Sequence, residues 1–154
     1  MRAPIPQIIA PLTWRRPAFI WTPLALAIAI GWPAALFTEE PSLQRLALVA
    51  GMAVFAIALV TLGASWALGK APRARRVVVV HVLVAGALIA VISPFVLTQL
   101  LAALANYEEN TAAAASLSID MALAMAPLAL IIGLPMALVS ALLFAWLALT
   151  RDAG

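Results

Sequence analysis

The sequence predicts an all-α integral membrane protein: a bundle of four antiparallel transmembrane helices with both termini in the cytoplasm. Three observations carry this expectation. Hydrophobic residues make up 66% of the 154-residue chain and charged residues only 10%. Mean hydropathy is strongly positive, at +1.13. Aspartate, glutamate, lysine and arginine are confined to the gaps between four long uncharged stretches. A water-soluble globule of this length needs far more charge to cover its surface. The same composition excludes a disordered chain, and the lack of a glycine period excludes collagen. Without cysteine there is no disulfide scaffold, thiolate nucleophile, iron–sulfur cluster or Cys–zinc site.

The chain reads as one membrane domain, 1–154, opened by a cytoplasmic or interfacial arm over 1–16. Within that arm Pro4, Pro6 and Pro11 work against a regular helix, because each removes a backbone donor. Ile5, Ile8, Ile9, Leu12 and Trp14 suit the headgroup boundary, with a frayed terminus as the other reading. The first span covers 17–38. Basic residues precede it, as in a signal peptide, but its uninterrupted length and the lack of an A-x-A signature after it favour an uncleaved helix.

Glu39, Glu40 and Arg45 occupy the first loop, and 46–69 forms the second span. Lys70, Arg73, Arg75 and Arg76 fill the next loop. The third span, 77–107, measures roughly 46 Å if wholly helical, against a hydrocarbon core of about 30 Å. It must therefore tilt, protrude or bend, and Pro94 favours bending. Glu108 and Glu109 begin the third loop, where the alanine run 112–115 suggests a short surface helix. Asp120 reads as the N-terminal cap of the fourth span, 121–150. Alanine and leucine dominate every span, which favours helix over barrel strands.

Charge sets the expected orientation. Eight basic residues lie in the arm, the second loop and the tail, against one, Arg45, in the outer loops. The positive-inside rule puts both termini and the second loop in the cytoplasm of a bacterial inner membrane. Trp14, Trp21, Trp66 and Trp146 then line the cytoplasmic interface, with Trp32 and Tyr107 toward the other side. The paired glutamates of the two outer loops hint at a parallel repeat, although acidic outer loops also arise without duplication.

Chemistry-bearing residues are few. His81 is the only histidine and the only titratable group within a span. It is the candidate ligand for haem or a pigment, provided that a partner subunit supplies a second ligand. A bond to a headgroup or neighbouring carbonyl is its simpler role. Adjacent solvated glutamates make a poor acid/base pair, and no HExxH, phosphate loop or nucleophile elbow occurs, so no catalytic or metal residue is assigned. Lys70, Arg73, Arg75 and Arg76 are the candidate anionic-lipid contacts. Gly133, Ala137, Ala141 and Ala145 recur every fourth residue and form the candidate helix-packing seam. Pro33, Pro94, Pro127 and Pro135 fall inside spans and free the carbonyls of Ala29, Ala90, Leu123 and Ile131.

These features point to a non-catalytic accessory, structural or assembly subunit of a larger inner-membrane complex, with an energy-transducing complex among the candidates. The alternative is a small oligomeric transporter or channel, favoured by the proline-broken helices. Expected partners are lipids and other membrane subunits or further copies of the chain, not nucleic acid.

Overall fold

The computed structural model describes residues 12–68, 74–105 and 111–151. Among these, four helices are long and apolar enough to cross a membrane. They are α1 (Ala18–Ala35), α2 (Pro41–Ala67), α3 (Arg75–Ala105) and α4 (Thr111–Ala148). Each is apolar around most of its circumference, and large apolar side chains cover the faces turned away from the other helices, unlike the surface helix of a soluble protein.

Local chemistry accounts for the helix starts. Pro17 takes an extended conformation just before α1. Pro41 opens α2, a position where its missing N–H costs nothing. The Gln44 N–H reaches the Glu40 carbonyl at 3.0 Å and begins the α2 ladder.

Against expectation, α1 ends at Ala35, α2 begins at Pro41 and takes in Arg45, and α3 begins at Arg75 and takes in Arg75 and Arg76, while two larger departures concern α4 and the chain after it. The fourth helix begins at Thr111 and runs unbroken for 38 residues, so the alanine run is part of α4 and not a separate surface turn. Asp120 therefore lies well inside the helix with its side chain exposed, and it caps no helix end. Alanine's high helix propensity overrides the capping tendency of aspartate. At the other end, α4 stops at Ala148 rather than Thr150.

The residues beyond that stop form the second departure. Leu149–Arg151 is a short strand, β2, paired antiparallel with β1, Leu12–Trp14. The fold remains helical, with this three-residue ladder joining the segments just before α1 and just after α4. Thr13 faces Thr150 in the register, and β-branched residues suit such pairing. Residues 1–11 of the arm lie outside the described residues, but its last part is held in this ladder rather than frayed.

Packing makes a ring. α1 touches α2 and α4, and α3 touches α2 and α4, with the α3–α4 contact the most extensive. Across the ring, Phe55 of α2 meets Phe144 of α4 edge to face, with centroids 5.2 Å apart. Trp14 of β1 packs on the other side of Phe144 at 6.3 Å. Leu149 and Val78 complete this buried cluster, which closes the bundle at the end carrying the β-ladder.

Candidate functional site

Away from the aromatic cluster the four helices do not close completely. They enclose a partly open cavity of about 450 Å³. Phe55 bounds it at one end, while Phe37, Leu43 and Met125 line it toward the ends of α1, α2 and α4 nearest Glu39 and Glu40. Its walls are almost wholly apolar, and Ser93 and Ser140 contribute the hydroxyls.

Both hydroxyls answer a backbone problem created by proline. Pro33 has no N–H for the carbonyl of Ala29, and the Ser140 hydroxyl of α4 donates to that oxygen at 2.8 Å. The Trp32 indole N–H in turn donates to Ser140 at 2.7 Å. A lone buried serine thus uses donor and acceptor together and ties α1 to α4. Trp32 is thereby part of an interhelical link. Pro94 frees the Ala90 carbonyl, and Ser93 one residue earlier donates to it at a long 3.4 Å. Pro33 and Pro94 both line the cavity. Pro127 and Pro135 are exposed on α4, as is Pro23, a further proline inside α1.

Two of the seam residues, Gly133 and Ala137, lie against α3. Ala141 and Ala145 are buried, and Ala137 lies against Gly86 of α3. A methyl group built on Gly86 would come within 2.7 Å of the Ala137 methyl, so only glycine fits there. The corresponding distance from Gly133 to Ala90 is 3.4 Å, an ordinary contact. At Gly133 and Ala137 the seam is thus occupied within the chain by α3.

The half-buried His81 ring holds Nδ1 at 2.7 Å from the carbonyl oxygen of Val77, one turn earlier. A carbonyl can only accept, so Nδ1 is the donor in this bond, which fits the tautomer whose lone pair is on Nε2. That tautomer can ligate a metal centre. Among the described residues, no group of three or more His, Asp or Glu side chains stands together to complete one.

Of the basic residues assigned to the second loop, Arg75 and Arg76 are described, and they play different parts. Arg75 donates through Nη2 to the Leu149 carbonyl at 2.8 Å, while its Nε is buried without an acceptor. Arg15 donates through its backbone N–H to Ala148 at 2.8 Å and through Nη2 to Trp146 at 3.3 Å. Two arginines therefore satisfy carbonyls just beyond and within the last turn of α4, where the helix dipole also favours cations. Arg15 stacks over Trp21 at 5.0 Å. Arg76 is exposed beside a groove lined by Val80, Leu142 and the exposed Trp146. Lys70, Arg73, Tyr107, Glu108 and Glu109 lie outside the described residues, and the side chain of Trp66 is not described.

The cavity, the Trp32–Ser140 link and the arginine caps escape a reading of the sequence. Ser140 carries the one available signal, a solitary hydroxyl inside an apolar run. Its partners sit more than a hundred residues away. No family model, curated protein or solved structure matches the chain.

Proposed function

We propose that the chain is a non-catalytic accessory or structural subunit of a larger bacterial inner-membrane complex, with four antiparallel transmembrane helices and both termini cytoplasmic. The observation that carries this reading is how its polar side chains are spent. The Ser140 and Ser93 hydroxyls serve proline-freed carbonyls, Thr61 bonds to Ile57 and Ala58, Thr98 to Phe95, and His81 to Val77. Arg15 and Arg75 serve the end of α4. Groups that would do chemistry in an enzyme are here engaged in holding the backbone together. The eight basic residues of the arm, second loop and tail support the orientation. Purification in a mild detergent, followed by native electrophoresis, tests this reading: a second membrane chain should accompany it in fixed stoichiometry.

A small oligomeric transporter is the second reading, favoured by Pro33 and Pro94 on the cavity wall. Recovery of the chain only as copies of itself, together with solute flux in liposomes, would replace the first reading with this one.

A further inference from the structure

We infer that the cavity holds one hydrocarbon tail of a zwitterionic aminophospholipid, whose headgroup lies over Glu39, Glu40 and Arg45. The shape of the cavity selects the tail. Along α2 it runs from Leu43 to Phe55, and along α4 from Met125 to Ser140. At 1.5 Å per residue these distances are about 18 and 22 Å. About 450 Å³ open to the centre of a water-sized sphere, spread over that depth, gives a bore between the walls on the order of 8 Å once the sphere's own width is added. A helix with its side chains is about 10–12 Å across, so a partner's transmembrane segment does not fit. Carbon atoms in contact sit about 3.5–4.0 Å apart, so a single polymethylene chain does. The depth is also comparable to one leaflet, half of a core about 30 Å thick.

The lining agrees. The Ser140 hydroxyl is already bonded on both sides, which leaves the walls without a strong polar claim on a guest. A quinone ring needs donors for two carbonyls. Among the described lining, only the weakly held Ser93 hydroxyl is at hand.

Charge beside the end lined by Phe37 and Leu43 selects the headgroup. Phe37 and Leu43, both on the cavity wall, flank Glu39 and Glu40 in sequence, and Arg45 adjoins the lining residue Leu46. All three charged side chains are exposed. Two carboxylates and one guanidinium suit a headgroup with one ammonium and one phosphate. They disfavour a purely anionic lipid by like-charge repulsion. This inference concerns the isolated chain and stands whether or not the subunit reading does.

The test uses purified full-length protein in vesicles of phosphatidylethanolamine or phosphatidylglycerol with identical chains, each doped with its analogue bearing a diazirine in the acyl tail. Cross-links in the unmodified protein should map to inward-facing residues such as Ala50, Ala129 and Leu97. Native mass spectrometry should show one retained phosphatidylethanolamine, favoured at least tenfold over phosphatidylglycerol. Glu39→Gln with Glu40→Gln should erase that preference, and Ala50→Phe with Ala129→Phe should abolish retention of either lipid. Cross-links confined to outward residues such as Val60, Leu48 and Ile131 would overturn the cavity assignment without recourse to any variant. Equal or stronger retention of phosphatidylglycerol would overturn the headgroup assignment.

Discussion

Gly86→Ala places a single methyl group at the tightest contact between α3 and α4. Its Cβ would lie 2.7 Å from the Cβ of Ala137. Carbon atoms pack comfortably at about 3.5–4.0 Å, so the helices must separate locally by roughly 1 Å. Neither group is the far end of a flexible side chain, so no rotamer change relieves the overlap. A gap of about 0.5–1 Å already forfeits a quarter to a half of each neighbouring dispersion contact. Overpacking of this kind costs about 1–3 kcal/mol, and lipid supplies no hydrophobic drive to offset it. Helix propensity acts the other way, since alanine is better than glycine by about 1 kcal/mol. The expected net loss is therefore up to about 2 kcal/mol. Reversible unfolding in mixed micelles with increasing dodecyl sulfate, followed by circular dichroism, measures it. Ala137→Gly removes the opposing methyl, so the double variant should return to within about 1 kcal/mol of the parent. Gly63 has open space around its missing side chain, and Gly63→Ala should be neutral or stabilising by up to about 1 kcal/mol. A Gly86→Ala protein as stable as the parent, with no coupling to Ala137→Gly, would refute the close packing of α3 on α4.

Other perturbations address the remaining contacts. Ser140→Ala strands the Trp32 indole and the Ala29 carbonyl at a cost of about 1–3 kcal/mol. Adding Pro33→Ala restores a backbone donor for Ala29, so the double variant should be more stable than Ser140→Ala alone in the same unfolding assay; a further loss would count against the proline-compensation account. Arg75→Gln should speed amide hydrogen exchange in Leu12–Trp14 and Leu149–Arg151, since the bond to Leu149 is lost, whereas Arg76→Gln should leave it unchanged. For orientation, Ser42→Cys should react with an impermeant maleimide from the periplasmic side and Ala74→Cys only after the membrane is opened. Labelling of Ala74→Cys in intact spheroplasts would reverse the proposed topology.

The number of spans was legible in the sequence because the bilayer imposes its requirement locally. Every backbone group in hydrocarbon must be bonded within its own helix, and about 20 apolar residues are needed to cross. Both conditions concern consecutive residues, so composition and charge spacing reveal them without knowledge of any partner. The freed carbonyls of Ala29 and Ala90 were predictable for the same reason, because proline acts on the residue four positions before it.

Which groups would meet those carbonyls was not legible. Ser140 reaches Ala29 across 111 positions, and nothing in either segment marks the pairing. The end of α4 escaped for a similar reason: Leu149 and Thr150 continue an apolar run, but the β1 strand and the distant Arg75 take backbone bonds there instead. Small residues every fourth position marked a face of α4 suited to close packing. That α3 fills this face, and that Gly86 is the residue allowing it, depends on how the four helices arrange around one another. The cavity is the furthest of all from sequence. It is a residue of imperfect closure among helices that are apolar on every side, and tertiary packing alone decides where such helices fail to meet.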